Sequence, residues 1–200
     1  MPDRGTAITA TAPLPPDRLL AEGRHACIAP WTHLAVATNG DLLPCCEATA
    51  PLGSLRAHDI ATLWQGEAME AFRATLRADR PDPRCAKCHE IERSGGRSYR
   101  QLLNGQLATH AGRIAQAGPV PPPVSLDVRF GNLCNLACRT CWHGSSSRWF
   151  ADAHKLGWTA GPEALVAAFP DVESGVAALR PLLPTVERIY WAGGEPMMME

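Results

Sequence analysis

The second half of the chain contains two short strand-like stretches: residues 124–130 alternate apolar and polar residues, and residues 186–192 form a second, largely apolar run. Alternation of this kind is typical of a strand with two distinguishable faces. Between them, residues 162–168 and 172–183 carry apolar residues at helical spacing. A strand, a helical crossover and a second strand make the two strands parallel. The pattern therefore predicts an α/β fold in which the loops after both strands meet at one edge of a sheet.

The first half contains a predicted β-hairpin. Residues 31–37 form one candidate strand and residues 41–44 the return strand. Between them lies Asn39-Gly40, a strong signal for a two-residue turn, because both residue types tolerate positive φ.

Helical patterns follow the hairpin. Apolar residues at helical spacing predict two short helices separated by Gly66, and a further helix is predicted from residue 98 to about residue 106. The arginines near this last helix are interpreted as a solvated face, with contact to a substrate or to a cluster as the less favoured alternative. They are Arg93, Arg97 and Arg100.

These patterns divide the chain into four segments. Residues 1–23 are predicted to be a loosely ordered lead-in, and residues 24–110 a small α+β domain of hairpin and helices. The proline-rich residues 111–123 are predicted to be a linker, because the run of prolines favours a semi-rigid extended chain. Residues 124–200 begin the second domain.

The amino-acid composition narrows the range of possible functions. The 200 residues are 46% hydrophobic with a formal charge of -1, so no basic field favours bulk binding to nucleic acid. No apolar run reaches the roughly 20 residues of a membrane helix, and the N-terminus lacks the apolar region of a secretory signal. We therefore expect a cytoplasmic protein without a membrane partner. In that compartment eight cysteines favour metal or redox ligands over disulfides.

Three of the cysteines, Cys134, Cys138 and Cys141, form a C-x3-C-x2-C array directly after the first predicted strand. Short spacings keep thiolates on one side of a loop, and iron–sulfur clusters are held by cysteine sulfur. Three ligands on a cluster of four irons leave one iron open to bind another molecule.

The second predicted strand is followed by a glycine-rich turn, Gly193-Gly194-Glu195-Pro196. The cysteine array and this turn, in this order and each behind a strand, resemble the radical S-adenosylmethionine superfamily. That family often has an aromatic residue before the third cysteine, where this chain has Thr140; Trp142 would take its place beside the adenine.

The remaining cysteines lie in the first domain. Cys85 and Cys88 form a C-x2-C knuckle after two prolines, and Cys27 precedes the hairpin. Cys45 follows the return strand, with the adjacent Cys46 as the alternative ligand. Four such cysteines suit either an iron–sulfur cluster or a structural zinc ion. Their arrangement resembles the twitch domain, which is related to the SPASM domain and binds an auxiliary [4Fe-4S] cluster.

The resemblance implies a partial (β/α)6 barrel of the TIM type, begun within residues 124–200 and preceded by the auxiliary domain. It implies that S-adenosylmethionine chelates the open iron of a [4Fe-4S] cluster and that the Gly-Gly-Glu-Pro turn contacts its methionyl group. Reductive cleavage would give a 5′-deoxyadenosyl radical that abstracts hydrogen. The implied partners are a peptide or protein substrate and a low-potential electron donor such as flavodoxin or ferredoxin.

Two other functions fit the same residues. One is a scaffold without turnover that binds iron–sulfur or zinc, and the other is an electron carrier with two clusters. A six-unit barrel needs well over ~100 residues beyond residue 200, because each βαβ unit takes ~30. We therefore expect the 200 residues to be a fragment, inactive and marginally stable alone.

Overall fold

The secondary structure alternates between short helices and short strands. The computed structural model describes residues 14–159 and 162–198. The α-helices are α1 (Pro16–Glu22), α2 (Ala29–Thr32), α3 (Ile60–Gln65), α4 (Glu67–Arg77), α5 (Ala86–Arg93), α6 (Tyr99–Gln106), α7 (Phe150–Lys155) and α8 (Val172–Leu179). The strands are β1 (His33–Val36), β2 (Asp41–Leu43), β3 (Gly53–Ser54), β4 (Ser125–Arg129) and β5 (Arg188–Ala192). Turns of 3₁₀ helix lie at Pro83–Cys85, Ala108–Ile114, Ser147–Trp149, Arg180–Leu182 and Pro196–Met198.

The five strands form one open sheet in the order β3-β2-β1-β4-β5. The pairs β3–β2 and β2–β1 are antiparallel, whereas β1–β4 and β4–β5 are parallel. Leu126 pairs with Leu34 on one side and with Ile189 on the other. The parallel pairing of β4 with β5 confirms the predicted strand–crossover–strand unit. The fold is mixed α/β, and a partial barrel stays a prediction.

The sheet runs across the predicted linker. β1 belongs to the first predicted domain and β4 to the second, yet they pair along four residues. The linker is itself anchored: Val120 is buried, and its carbonyl accepts hydrogen bonds from Gln65 Nε2 at 2.6 Å and from Trp64 Nε1 at 3.3 Å. Arg113 donates to the carbonyl of Pro122 at 2.8 Å. The segment is thus packed onto α3, and the division into domains stays a prediction.

The β1–β2 hairpin has a three-residue loop, so the predicted two-residue turn was wrong. Val36 pairs with Leu42, and the N–H of Ala37 donates to the carbonyl of Asp41 at 2.9 Å. The N–H of Gly40 donates back to the carbonyl of Ala37 at 2.9 Å, and Gly40 has φ +84°. A turn closed by a residue with positive φ is the usual three-residue solution, and glycine adopts that φ without steric cost.

Helices α3 and α4 form as predicted, with Gly66 between them. The Asp59 side chain accepts the N–H of Thr62 and so caps α3. Both helices turn apolar residues toward one core, which they share with β1, β2 and β4. Its most enclosed apolar members include Ile28, Trp31, Leu34, Leu42, Met69, Phe72, Leu76, Leu103 and Leu126.

Two predicted segments differ from the structure. Residues 16–22 of the predicted lead-in form α1, which buries Leu19 at 3% exposure; residues 1–13 lie outside the described residues. Residues 162–168 are not helical, because their backbone bonds to the loop after β4 instead, with Ala167 bridging to Gly131.

None of the helices in the described residues combines the length and the apolar character that crossing a membrane would require.

Candidate metal centres

The cysteines predicted as ligands fall into two sets, which lie at opposite ends of the strands. Cys27 precedes β1, and Cys45 follows β2, whose antiparallel course returns the chain to the edge where β1 begins. The loop with Cys134, Cys138 and Cys141 follows the end of β4. A five-residue strand is roughly 16 Å long, so the sheet separates two sites rather than building one.

Hydrogen bonds join the loop after Cys45 to the segment that leads into Cys85. The N–H of Thr49 donates to the carbonyl of Arg84 at 3.2 Å, and the Thr49 hydroxyl donates to the carbonyl of Pro83 at 3.3 Å. An ion pair between Lys87 and Glu47 lies beside them. Cys88 follows on the first turn of α5, so the C-x2-C knuckle is built on a helix N-terminus.

The segment that carries Cys27 is held by Asp79. The carboxylate of Asp79 accepts the backbone N–H groups of Arg24, His25 and Ala26 at 3.0, 2.7 and 2.9 Å. Partial burial disfavours the charge, but these N–H donors outweigh it and lower the pKa of Asp79 below its usual value. Asp79 adopts φ +50° after the end of α4, a conformation that aspartate tolerates better than most residues.

Two side chains of α6 complete this support. Asn104 Oδ1 accepts the N–H of Ile28 at 2.9 Å, and Arg100 donates to the carbonyl of Ala26 at 2.8 Å. Arg100 is only 6% exposed and pairs with Glu92 at 2.6 Å. Its interpretation as part of a solvated helix face was wrong. Its guanidinium lies near Cys27 and Cys88, so it places positive charge beside the predicted ligands.

Burial dominates the chemistry of these thiols. Cys27 and Cys88 are 7% and 5% exposed. Burial raises the pKa of Cys27 to about 12, and burial together with the neighbouring Cys27 raises the pKa of Cys85 to about 12. Cys45 has its pKa raised by burial and then by Cys27. Cys27 acts on the pKa of both Cys45 and Cys85, so it lies near each of them, and binding of a metal there would displace the thiol protons.

Cys46 faces elsewhere. It lies beside Asp127 of β4 and Tyr99 of α6, and burial followed by the Asp127 charge raises the pKa of Cys46 to about 11. Of the two adjacent thiols, Cys45 is the one directed toward Cys27 and Cys88. Cys46 thus has Asp127 and Tyr99 as neighbours, and the choice between Cys45 and Cys46 as the fourth ligand stays a prediction.

The loop after β4 is tied down by Asn132, which is 1% exposed. Its Nδ2 donates to the carbonyls of His143 and Ala164 at 3.0 and 2.9 Å, and its Oδ1 accepts the N–H of Val166 at 2.8 Å. These bonds close the cysteine loop on one side and hold residues 162–168 against it on the other. Asn135, by contrast, is exposed.

Further bonds shape the loop between its cysteines. The N–H of Cys134 donates to Ser147 Oγ at 3.3 Å, and Trp149 Nε1 donates to the carbonyl of Cys138 at 3.0 Å. The N–H of Leu136 donates to Cys134 Sγ at 3.4 Å. A backbone N–H directed at a cysteine sulfur is one of the features that tune an iron–sulfur cluster.

The Gly193-Gly194 turn packs directly on this loop. The N–H of Gly194 donates to the carbonyl of Gly131 at 2.9 Å, and the N–H of Glu195 donates to the carbonyl of Leu133 at 2.7 Å. A Cβ on Gly194 would overlap the Leu133 carbonyl, and Gly193 has φ +105°. The glycines therefore allow close approach to the cysteine loop, at the residue before Cys134.

Glu195 also has a local role. Its Oε1 accepts the N–H of Met197 at 3.2 Å, which caps the short helix Pro196–Met198. The backbone of Glu195, rather than its side chain, joins the turn to the cysteine loop.

A cleft of about 300 Å³ opens beside Cys141. Trp142, Trp149 and Trp158 line it, and Trp142 and Trp158 are 61% and 70% exposed. Small-molecule sites are concave, largely apolar and of about this size or larger. Trp142 lines this cleft, and its role beside an adenine stays a prediction.

The family model of the SPASM domain, an iron-sulfur cluster-binding domain, matches residues 27–89. We refer to residues 27–89, which match this model, as the SPASM domain. The match starts at Cys27 and ends one residue after Cys88, so it encloses all four predicted ligands of the first set. Neither the curated proteins nor the solved structures provide a match to the chain.

The SPASM domain contacts the cysteine loop through its hairpin. Thr38, in the loop between β1 and β2, donates from Oγ1 to the carbonyl of Gly144 at 2.8 Å. Arg56 reaches the carbonyl of Ala167 at 3.2 Å. The two cysteine sets thus lie at opposite ends of the strands, while the turn of the hairpin contacts the loop that carries the second set.

Within residues 14–159 and 162–198, no three His, Cys, Asp or Glu side chains converge as they would around a single metal ion. The ligand roles of the seven cysteines stay predictions, as does the choice between iron–sulfur and zinc for Cys27, Cys45, Cys85 and Cys88.

Sequence reasoning missed the residues that support the SPASM cysteines. Asp79, Arg100 and Asn104 act from helices distant in sequence, on backbone groups between residues 23 and 28. The sequence does single out Asp79, because it follows the end of a helix and aspartate is a residue type that accepts positive φ.

Proposed function

We propose that the chain is part of a radical S-adenosylmethionine enzyme. Cys134, Cys138 and Cys141 hold a [4Fe-4S] cluster with one open iron, which binds S-adenosylmethionine. The SPASM domain holds a second [4Fe-4S] cluster through Cys27, Cys45, Cys85 and Cys88. Cluster and cofactor together supply a 5′-deoxyadenosyl radical for hydrogen abstraction from a peptide or protein substrate.

One observation carries this proposal: the contact between the Gly193-Gly194 turn and the cysteine loop. Both leave the C-terminal ends of neighbouring parallel strands, and two backbone hydrogen bonds join them. Enzymes built from β/α units bind ligands at this end of the strands. A carrier of electrons alone needs no such meeting of loops and no cleft beside a ligand cysteine.

The residues present suit an iron–sulfur cluster in both places. Every predicted ligand is a free thiol, and thiolate is the ligand of such clusters. In the SPASM domain Arg100 offers positive charge near a site that gains negative charge when thiols ionise. In the second loop the N–H of Leu136 points at Cys134 Sγ. At the open site the chain holds the cofactor against the Gly193-Gly194 turn, and tryptophan side chains line the cleft.

Anaerobic reconstitution of the chain with iron and sulfide, followed by iron, sulfide and zinc analysis, tests the proposal. Two four-iron clusters give about eight irons per chain. Addition of S-adenosylmethionine to the reduced protein is expected to change the electron paramagnetic resonance signal of one cluster only. This readout reports binding and does not require turnover.

Two results would contradict the proposal. An unchanged resonance signal with S-adenosylmethionine would remove the open iron site and leave an iron–sulfur scaffold. About four irons and one zinc would assign zinc to the SPASM cysteines, while the radical site would still stand.

A further inference from the structure

A shallow groove of about 740 Å³ lies on the SPASM domain and the residues that flank it in the sequence. It runs between the segment before Cys27 and the first part of α5. His25 and His89 meet in it, with His25 Nδ1 3.3 Å from His89 Nε2. Arg24 and Arg93 also line it.

The charges of this groove are unbalanced. Two carboxylates line it, and each is neutralised from within: Asp82 pairs with Arg84 at 2.8 Å and Glu92 with Arg100 at 2.6 Å. Arg24 and Arg93 are exposed and pair with no carboxylate in the part of the chain that the structure describes. The groove therefore presents positive charge to solvent, on a chain whose overall formal charge is -1.

The groove is also formed by residues that flank two of the SPASM cysteines in the sequence. His89 follows Cys88 directly, and His25 lies two residues before Cys27. Cys27 and Cys88 are both buried, so these flanking residues are what a partner would touch. A redox partner seated here would stand next to the cluster ligands without entering the protein.

We infer that this groove is the docking surface for an acidic, low-potential electron-donor protein of the flavodoxin type. The inference rests on the proposed function, since it supposes a cluster behind Cys27 and Cys88. Complementary charge chiefly accelerates encounter and fixes orientation, which suits a transient redox complex. Such complexes bury little area, so a shallow polar groove is sufficient.

The binding test compares three forms of the reconstituted chain: unaltered, the double variant Arg24→Glu with Arg93→Glu, and the single charge reversal Arg180→Glu away from the groove. Arg180 is exposed and lies in the 3₁₀ turn Arg180–Leu182, outside the SPASM domain. The probe is a flavodoxin-type protein of net negative charge, and its Kd is measured at low and at physiological salt. We expect the double variant to bind at least about tenfold more weakly and with less dependence on salt.

The kinetic test follows cluster reduction by the flavodoxin hydroquinone. The double variant should be reduced at least about tenfold more slowly, whereas dithionite, a small reductant, should reduce all three forms at the same rate. Equal Kd values and equal flavodoxin rates for the unaltered and double-variant chains would overturn the inference. An equal loss in Arg180→Glu would overturn it too, because the effect would then follow net charge alone.

A failure of the proposed function is distinguishable from a failure of this inference. Iron and sulfide analysis reports whether the SPASM cluster forms, whereas the Kd comparison reports whether the groove is the docking surface.

Discussion

The two cysteine sets differ in how far the fold encloses them. Cys27 and Cys88 lie in the core of the SPASM domain, at 7% and 5% exposure. Cys138 is exposed, and its loop opens onto a cleft beside Cys141. The two predicted sites thus differ in the access that they give to a second molecule.

They also differ in what builds them. The SPASM cysteines come from three separate segments, joined by hydrogen bonds from Thr49, Asp79 and Arg100. The other three come from one loop of eight residues, closed by Asn132 and covered by the Gly193-Gly194 turn. The first site therefore depends on the tertiary fold, and the second depends on two strand ends meeting.

The largest expected effect comes from removing one ligand of each set. Cys138→Ala should lose about four of about eight irons and abolish the spectral response to S-adenosylmethionine. Cys88→Ala should lose a similar amount of iron but keep that response. Cys46→Ala is the control and should keep all the iron, as analysis of the reconstituted variants will show. Loss of iron in Cys46→Ala comparable to Cys88→Ala would make Cys46 a ligand.

Asn132→Ala tests whether Asn132 holds the loop that carries Cys134, Cys138 and Cys141. It removes three buried hydrogen bonds and leaves their partners unsatisfied, so we expect a loss of about 3 kcal/mol in the free energy of unfolding, measured with urea. The matched control is Asn135→Ala, an exposed residue of the same loop, for which a change within about 0.5 kcal/mol is expected. Equal effects of the two would mean that Asn132 does not hold the loop.

Gly194→Ala tests the contact between the turn and the loop. The new Cβ meets the carbonyl of Leu133, and overpacking of this kind costs about 2 kcal/mol of unfolding free energy. Gly105→Ala is the control: it lies in α6 with open space around it and should stabilise by up to about 1 kcal/mol. Tolerance of alanine at residue 194 would contradict the close approach.

Asp79→Ala tests whether Asp79 supports the segment that carries Cys27, and its effect on stability should depend on pH. The N–H donors lower the pKa of Asp79, so its charge stabilises the fold above the unfolded-state pKa of about 4. We expect a loss of about 1–2 kcal/mol at pH 7 that shrinks as the pH falls through the folded-state pKa. Chemical unfolding between pH 3 and 7 measures it. Glu90→Ala, an exposed carboxylate of α5, should show no such trend.

Much of the local structure could be predicted, because it depends on neighbouring residues. Gly66 separates α3 from α4, and Ser98 caps α6 through a reciprocal bond with Gln101. The parallel pairing of β4 and β5 followed from a topological rule rather than from propensity.

Features set by distant residues could not be predicted in this way. The burial of Arg100 depends on Glu92 and on carbonyls 74 or more residues away. Residues 162–168 have a helical pattern, yet their N–H and C=O groups bond to Asn132 and Phe130. The different neighbours of Cys45 and Cys46 depend on the direction of each side chain, which adjacent identical residues do not reveal.

The pairing of β1 with β4 makes the SPASM domain a structural neighbour of the strand that leads into the cysteine loop. If residues 1–110 were deleted, β4 would lose the partner that covers one of its sides along four residues. Exposed strand edges of this kind recruit other chains and promote aggregation. Transplanting the second half into a foreign protein would therefore require a replacement strand for that side of β4.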